Sequence, residues 1–321
     1  MVSNKETYKK LCETEGDRIP LFLQYWWMDA VCYGKQWDVA LAYSKDGSVI
    51  GALPYLIGSK FGLRYIVQPQ LTQYNGPWYR YAEGLSVRKQ LQFQYDVDEQ
   101  LIACLKELKL AFFSQNFSPQ VTSWLPYHWA GYKQTTRYSY RYDDISVPES
   151  LLGQMSPKNR RYKIETVMPS LDVENIGSAE LVATQNEFLR RQGKGNILSQ
   201  EFLKRVCDTA VMRGNGVVIA VCDKERGKRM GAAFAVYDSQ CAYALVTAYD
   251  KAGDAAAVNT CLFWALITTL SGRTKSFDFE GSMDRGVENY FRSFGARPIA
   301  YHHIWKINNP LLRPILEKRG I

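Results

Sequence analysis

Residues 275–305, KSFDFEGSMDRGVENYFRSFGARPIAYHHIW, form the stretch of sequence that decides the fold. At its start, Phe277 and Phe279 alternate with Asp278 and Glu280. Alternation of apolar and polar residues predicts a short β-strand. The strand would carry two carboxylates toward its carboxyl end.

An amphipathic helix and a second strand are predicted to follow. Apolar residues recur at helical spacing from Val287 to Phe294, and Gly295 is typical of a helix C-cap. Chemistry in open α/β sheets gathers at the carboxyl ends of strands. The turn Asp278–Asp284 is therefore the best candidate site in the chain.

Length and composition describe a globular protein with more than one domain. A chain of 321 residues exceeds the usual size of one hydrophobic core, which favours two domains. A content of 46% hydrophobic and 22% charged residues excludes a disordered chain.

The positive charge lies mostly in the second half of the chain. Residues 1–150 carry 16 Lys and Arg against 15 Asp and Glu, whereas residues 151–321 carry 24 against 17. This excess favours an anionic partner, such as a nucleotide, a phosphate, tRNA or an anionic lipid headgroup. A solvated basic surface explains the same excess.

Cysteine usage and hydropathy indicate a cytoplasmic protein. Seven cysteines are scattered without a C-x-x-C motif, which argues against zinc and against a disulfide framework. His302 and His303 are adjacent on a predicted strand, so they face opposite ways and form no metal pair. The first ten residues lack an apolar signal region, and the apolar stretch 255–270 is too short to span a bilayer comfortably. Peripheral contact of a basic face with a membrane stays open.

The two halves of the chain share a pattern of elements. Residues 37–57 and 216–237 both read as strand, charged turn and strand, with Gly51 and Gly231 at equivalent places. This similarity predicts an internal duplication of one α/β unit, with domains at 1–150 and 151–321. Chance similarity between two α/β patterns is the alternative.

Periodicity predicts the elements within these halves. Helices are expected at 4–15, 97–108, 121–129, 179–192, 200–213 and 255–270, and strands at 37–43, 49–57, 64–67, 111–114, 133–142, 217–222, 230–237 and 241–248.

Four segments resemble the Fem-type peptidoglycan aminoacyltransferases and proteins with a BioF2-like acetyltransferase domain, both within the GNAT superfamily of N-acetyltransferases. They are QYWWMDAV (24–31), LTQYNGPWY (71–79), SPKNRRYKI (156–164) and FDFEGSMDRGVENYFRSFGA (277–296). The last segment is the most specific, because these families end with an acidic strand and a helix that closes in Phe-Lys-x-x-Phe-Gly.

The resemblance implies an α/β (α+β) fold of two tandem GNAT-like domains around one cleft, with mixed sheets flanked by helices. Residues 1–150 would form the acceptor side and residues 151–321 the donor side. The implied reaction is transfer of an acyl or aminoacyl group to an amine of a cell-envelope precursor or a similar anionic acceptor. Two alternatives stay open: an acetyl-CoA-dependent small-molecule N-acetyltransferase, and a non-catalytic binding module.

The resemblance also assigns catalytic roles. Glu280 or Asp278 would act as the base that deprotonates the amine, with Asp284 third. We expect Asp278 and Glu280 to lie on opposite faces of their strand, so that one of them faces the cleft. Backbone N–H groups of a splayed strand at 245–249 would stabilise the oxyanion. Alternatively, the carboxylates cap the next helix or pair with Arg285 and Arg273.

Basic and aromatic residues are expected to bind the substrates. Arg292 stands where the Fem pattern has Lys, and the two side chains are not interchangeable in geometry. Arg292, with Lys158 and Arg161 of the basic segment, would bind an anion; a solvated helix face is the alternative reading of that segment.

Other candidate substrate-binding residues are aromatic or polar. Gln73 and Tyr74 lie in a loop that resembles the acceptor-side loop of the family, although turn formation explains part of its composition. Phe291 and Tyr249 complete the set of candidate substrate-binding residues.

The donor is expected to meet the chain near residues 247–255. Thr247, Gly253 and Ala255 would contact the donor, since the glycine and alanine stand in register with a loop that binds CoA pyrophosphate in GNAT proteins. Asp250 and Asp254 flank this loop, and their charge would repel pyrophosphate. The donor is therefore acyl-CoA or aminoacyl-tRNA, with the loop favouring the latter. We expect no tightly bound cofactor and no metal.

Overall fold

The computed structural model describes residues 3–250 and 255–317. Its strands are β1 (Trp37–Tyr43), β2 (Val49–Lys60), β3 (Leu63–Val67), β4 (Trp78–Tyr79), β5 (Phe112–Asn116), β6 (Lys133–Tyr142), β7 (Leu171–Asn175), β8 (Gly216–Asp223), β9 (Arg229–Tyr237), β10 (Cys241–Tyr249), β11 (Ser276–Asp278) and β12 (Arg297–Ile307).

The helices of the described residues alternate with these strands. They are α1 (Asn4–Glu15), α2 (Tyr25–Val31), α3 (Val87–Glu107), α4 (Leu125–Trp129), α5 (Tyr162–Val167), α6 (Ser178–Arg191), α7 (Gln200–Met212), α8 (Ala255–Leu270), α9 (Arg285–Arg292) and α10 (Arg313–Glu317). A π-helical turn, Pro157–Arg161, precedes α5. None of the described helices is long and apolar enough to cross a membrane.

The chain forms two compact units. The first, unit 1, contains Met1–Arg137 and Ala300–Ile321, and the second, unit 2, contains Tyr138–Ile299. The first unit is therefore discontinuous in sequence, because the end of the chain joins it.

Unit 1 is built on a mixed sheet. The hairpin of β1 and β2 is extended by β3, which runs antiparallel to β2. Helix α3 then leads to β5, which runs parallel to β3, and β12 runs antiparallel to β5. The core lies between the sheet and α3, where Val97 and Leu101 are fully buried.

Unit 2 repeats this order of elements. Strands β7, β8, β9 and β10 pair antiparallel, α8 crosses over, and β11 pairs parallel to β10. Strand β6 then pairs antiparallel to β11. Apolar residues surround nearly the whole of α8, and Leu262 and Leu266 are fully buried. A helix that is apolar all round belongs inside a core.

The last strand, β12, lies mostly in a different unit from the one expected. The sequence analysis assigned residues 151–321, including the strand at the end of residues 275–305, to the second domain. This is wrong for Ala300–Ile307 of β12, which belongs to unit 1 and pairs with β5 from His303↔Asn116 to Ile307↔Phe112. Alternation of residues identifies a strand, but it does not identify the strand's partner. The roles of 1–150 as acceptor side and 151–321 as donor side stay predictions.

Some element bounds also differ. Helix α3 begins at Val87, ten residues before the predicted start, because most of its first two turns are exposed and carry no apolar period. Strand β7 was not predicted, and four of its five residues are exposed. Both differences occur in exposed segments, where the chain does not need a regular spacing of apolar residues.

Candidate active site

Strands β10 and β11 of unit 2 separate toward their carboxyl ends. Their parallel pairing covers only residues 241–243 and 276–278, and its last pair is Tyr243↔Asp278. Strand β10 continues to Tyr249 while it pairs with β9 on its other side. Backbone groups of a strand point alternately to its two edges. Beyond Tyr243, half of them therefore face an edge without a strand partner among the described residues.

This open half of β10 is the segment predicted to stabilise an oxyanion. Leu245, Thr247 and Tyr249 are partly exposed, whereas Val246 and Ala248 are buried. Thr247, predicted to contact the donor, thus lies on the more accessible face of the strand.

Asp278 lies at the point where the two strands separate. Its side chain is completely buried, and Arg141 stands opposite it in the register of β6 and β11. The Arg141 guanidinium donates to Oδ2 from Nη2 at 3.0 Å and from Nε at 3.3 Å. The Ser139 hydroxyl donates to Oδ1. These donors fix the orientation of the carboxylate, and the guanidinium supplies its counter-charge.

Glu280 follows immediately after the strand in a strained turn. Its φ of 56° lies in the left-handed region, which costs a non-glycine residue on the order of 1 kcal/mol. Its backbone N–H donates to Asp278 Oδ1 at 2.8 Å. Although the residue as a whole is partly exposed, Oε1 is buried without a hydrogen-bond partner among the described residues. The carboxyl group is therefore held in place through the backbone and not through its own oxygens.

The surroundings of Glu280 favour its protonated form. Burial raises the pKa of the Glu280 carboxyl well above its ordinary value, and the negative charge of Asp278 raises it further. A carboxyl group in such a site is a candidate for proton transfer.

The expectation that Asp278 and Glu280 lie on opposite faces is wrong. Residues two apart along a strand share a face. In addition, β11 ends at Asp278, so that Glu280 belongs to the turn that follows the strand. The negative charge of Asp278 raises the pKa of the Glu280 carboxyl, which shows that the two groups interact. Arg141 forms an ion pair with Asp278.

Gly281 allows this turn to approach β6. A Cβ atom at this position would lie 2.4 Å from the carbonyl oxygen of Tyr138 and from the Cα of Ser139. The Gly281 N–H donates to Ser139 Oγ at 3.0 Å. The turn and β6 are thus joined by the same hydroxyl that contacts Asp278.

A basic cleft lies between the π-helical turn and α9. Arg160 is buried there, with its guanidinium 3.9 Å from the centre of the Tyr290 ring. Its Nε donates to Ser293 Oγ at 2.7 Å and its Nη1 to Thr260 Oγ1 at 2.9 Å. These contacts fix both the arginine and α9.

The cleft is lined by positively charged side chains. It has a volume of about 660 Å³, and Arg160, Lys163 and Arg292 are the charged residues that line it. Tyr249, the last residue of β10, and Tyr290, which lines the cleft, both pack against the core of unit 2. The end of β10 and the basic cleft therefore border the same core.

The other predicted residues of the basic and aromatic set occupy different settings. Lys158 is exposed, and so is Arg161, which forms an ion pair with Glu165 at 2.8 Å. Arg292 donates to Glu288 at 2.9 Å. Phe291 is buried and belongs to the core of unit 2.

Two predicted residues lie in unit 1. Gln73 and Tyr74 are both buried, and the Tyr74 ring packs edge-on against Tyr301 with 4.9 Å between ring centres. The structure gives these two residues positions in the loop that follows β3.

The predicted donor loop is described only at its ends. Asp250 is buried and forms an ion pair with Arg191 at 2.5 Å, so that its charge is offset within the protein. Gly253 lies outside the described residues, and Ala255 is the first residue of α8. Because Arg191 neutralises Asp250, this carboxylate is expected to repel a bound pyrophosphate less than the sequence predicted.

Asp284 has a structural role. Its side chain is the N-cap of α9 and accepts from the N–H groups of Gly286 at 2.9 Å and Val287 at 3.0 Å. Capping therefore applies to Asp284, whereas Asp278 forms an ion pair with Arg141.

The sequence did not reveal four residues of the site. Ser139 and Arg141 alternate on a strand that was predicted, but their strand partner was not. Arg160 was recognised as part of a basic segment without sign of its burial, and Tyr290 was read as an apolar helix residue. Only the register of β6 and the packing of α9 bring these side chains to the site.

Comparisons with known proteins agree with this architecture. Residues 172–292 match the model of the acetyltransferase (GNAT) domain. No curated protein matches the sequence closely enough for comparison. Among solved structures, FemX is similar over 98% of this chain and 99% of its own, with 13% identity and a TM-score of 0.70.

Two further solved structures share the fold at low identity. L-PGS from Bacillus licheniformis is similar over 97% of this chain and 94% of its own, with 12% identity and a TM-score of 0.56. A tandem GNAT protein from the clavulanic acid biosynthesis pathway is similar over 85% and 83%, with 11% identity and a TM-score of 0.53. The predicted fold class is thus confirmed: the chain has a mixed α/β fold similar to that of FemX and of the tandem GNAT protein, and its residues 172–292 match a GNAT domain.

Proposed function

We propose that the protein is an N-acyltransferase that transfers an acyl or aminoacyl group to an amine of an anionic acceptor, such as a cell-envelope precursor. The observation that carries the proposal is the position of the Glu280 carboxyl. It is buried beside Asp278 at the point where β10 and β11 separate. A carboxyl group that would exchange a proton thus lies where the backbone edge of β10 becomes open.

Glu280 would act as the base. An ammonium group must lose a proton before its nitrogen attacks a carbonyl carbon, and a carboxyl group with a raised pKa accepts that proton more readily than an ordinary glutamate. The Asp278 carboxylate, held by Arg141 and Ser139, is a positioning residue that keeps the turn in place and maintains the charge near Glu280.

Backbone N–H groups at residues 245–249 would stabilise the oxyanion. As the nitrogen attacks, negative charge develops on the carbonyl oxygen, and fixed N–H donors lower its energy without reorganisation. When the tetrahedral intermediate collapses, the new amide bond remains and the donor's leaving group departs.

The basic cleft supports an anionic substrate. Arg160, Lys163 and Arg292 line it in the same unit as β10, so that a phosphate or carboxylate of the substrate would be attracted there. Lys158 and Arg161 are exposed on the same basic segment and stay predicted contacts for the remainder of that substrate.

The donor is proposed as aminoacyl-tRNA or acyl-CoA. One structural neighbour is the C-terminal domain of a putative lysylphosphatidylglycerol synthetase from Agrobacterium fabrum, with 11% identity and a TM-score of 0.56. The activity in its name supports aminoacyl transfer as one candidate reaction. The matched domain is named for acetyl transfer, and this favours the second candidate, an acetyl-CoA-dependent N-acetyltransferase of a small amine.

A binding screen followed by one matched pair of variants tests the proposal. Thermal shift against acetyl-CoA, longer acyl-CoAs, charged tRNA and UDP-linked muropeptides identifies donor and acceptor. With the donor and acceptor that stabilise the protein as substrates, we expect Glu280→Gln to lower turnover by about a hundredfold or more. Glu225→Gln changes an exposed carboxylate of the same unit and is expected to leave turnover unchanged. Full turnover of folded Glu280→Gln would refute the base assignment, and no response to any donor would favour a binding module.

A further inference from the structure

Three segments of unit 1 meet at the amino ends of β3 and β5. We define the tip surface as residues 60–64, 109–111 and 308–313. The Ala111 N–H donates to the carbonyl of Arg64 at 2.7 Å, and the Asn308 N–H donates to the carbonyl of Ala111 at 2.9 Å. A cleft of about 410 Å³ lies between the segments. The tip surface is therefore one continuous face of the unit.

Phe61 lies in an exposed turn of this surface and has an unfavourable backbone conformation. Residues Phe61 and Gly62 form the two-residue turn between β2 and β3, with Lys60 paired to Leu63. Their φ values of 52° and 76° are those of a turn that favours Asn-Gly. Phe61 is nevertheless 92% exposed, with Lys60 Nζ 5.5 Å from the centre of its ring, so that burial in a core does not compensate for its strained backbone. Strain without burial at an exposed aromatic residue points to a use outside the folded chain.

A second apolar side chain and four basic residues accompany Phe61. Leu311 is 81% exposed. The basic residues are Lys60, Arg64, Lys109 and Arg313, all of them exposed, and the tip surface contains no acidic residue.

We propose that the tip surface docks the protein on an anionic lipid bilayer, with Phe61 and Leu311 inserted at the headgroup boundary. Apolar side chains combined with a polybasic patch are the two signals that together hold a protein on such a surface. The basic residues would meet lipid phosphates at the membrane surface. This docking is independent of the reaction proposed for unit 2.

Two observations favour lipid over nucleic acid. Unpaired bases stack on aromatic side chains, but an aliphatic side chain such as Leu311 offers no such platform. A bilayer accepts both Phe61 and Leu311. The tip surface also lies at the amino ends of β3 and β5, whereas the loop with the predicted acceptor residues Gln73 and Tyr74 follows the carboxyl end of β3. A membrane at the tip surface would leave that loop uncovered.

The turn itself supplies a sharp test. Phe61→Asn creates the Asn-Gly pair that this turn favours, so we expect the variant to be at least as stable as the wild type. In sedimentation with vesicles of phosphatidylcholine and 30% phosphatidylglycerol, by mole fraction (roughly the anionic content of a polybasic-binding membrane), we expect Phe61→Asn to lower the partition coefficient about tenfold. Lys60→Gln is expected to lower it about fivefold. Ile197→Asn, at a 93% exposed position in unit 2, is the matched control and should bind as the wild type does.

The outcomes separate the proposal from its rivals. The wild type should bind the anionic vesicles and not pure phosphatidylcholine, and about 0.5 M salt should weaken the binding. Absence of binding by the wild type, or equal losses in Phe61→Asn and Ile197→Asn, would overturn the proposal. A parallel filter-binding assay with bulk tRNA completes the test. Loss of tRNA binding in Phe61→Asn with vesicle binding intact would assign the surface to nucleic acid instead.

Discussion

At the scale of single residues, the candidate site separates two carboxyl groups that stand close together. Asp278 forms an ion pair with Arg141, whereas Glu280 forms no ion pair with the described residues and its Oε1 is buried without a hydrogen-bond partner among them. Burial without a counter-charge favours the neutral form of Glu280. Asp278 therefore supplies a fixed negative charge, and Glu280 is the group that is able to exchange a proton. Acid–base catalysis uses two carboxyl groups whose pKa values are separated in this way.

The pH dependence of turnover follows from this pair. Because the Asp278 charge contributes to the raised pKa of Glu280, Asp278→Asn should move the acidic limb of kcat/KM to lower pH. Ser139→Ala is the control, since it removes one hydrogen bond to Asp278 but keeps the charge, and its limb should stay in place. Measurement of kcat/KM between pH 5 and 9, roughly the range over which raised carboxyl pKa values are seen, compares the two variants. An unmoved limb in folded Asp278→Asn would contradict the coupling.

At the scale of elements, equivalent parts of the two units differ in openness. In unit 1 the chain after β3 returns to β5: the Asn75 N–H donates to the carbonyl of Asn116 at 2.6 Å, and Gln68 Oε1 accepts from the Asn116 N–H at 2.9 Å. The position that is open beside β10 in unit 2 is thus filled by the chain itself in unit 1. This difference supports the choice of unit 2 as the reacting unit.

The elements with strong periodicity were predictable, and their partners were not. Helix α8 was predicted with its observed bounds because sixteen consecutive residues lack a charge. The pairing of Asp278 with Arg141 was not predictable, since it depends on which strand lies next to β11 and in which register. A one-residue change of register would turn Arg141 to the other face. Local pattern specifies an element, whereas the site arises from tertiary pairing.

Helix α3 carries a buried acid that ties unit 1 stability to pH. Asp98 is fully buried and accepts from the Tyr79 hydroxyl at 2.8 Å, and burial raises the pKa of its carboxyl to about 8. The folded state holds this proton above the unfolded pKa of about 3.9, so stability is lost as pH rises between these values. The free energy of unfolding should fall by up to about 1.4 kcal/mol per pH unit there, and level off above pH 8.

Asp98→Asn tests this dependence. The amide keeps the shape of the side chain and has no proton to lose, so that its stability curve should be flatter than that of the wild type from pH 5 to 8, roughly the window in which the acid stays protonated only when folded. Urea unfolding at each pH supplies the comparison, and Asp96→Asn, at an exposed position two residues earlier, is the control. Parallel curves for the wild type and Asp98→Asn would show that Asp98 is ionised in the folded protein.

At the scale of the whole molecule, the chain closes its first unit last. Residues 300–307 of β12 pair with β5, and Ile304 is completely buried in the unit 1 core, although more than 160 residues separate the two parts of this unit in sequence. Unit 2, by contrast, is one continuous stretch that contains its own closing strand residues from β6. Contacts this distant in sequence form slowly, because a long loop must close before they stabilise anything.

Fragments should therefore differ in their ability to fold. We expect residues 138–299 to unfold cooperatively by themselves, whereas residues 1–150 should not, because β5 would expose its β12 edge and the core would lose Ile304. Joining residues 300–317 to residues 1–137 through a flexible linker should restore cooperative unfolding, and the same fusion with Ile304→Asp should not. Thermal unfolding followed by circular dichroism distinguishes these cases. Cooperative unfolding of residues 1–150 alone would show that the C-terminal strand is dispensable for unit 1, since the free edge would then be tolerated without its partner.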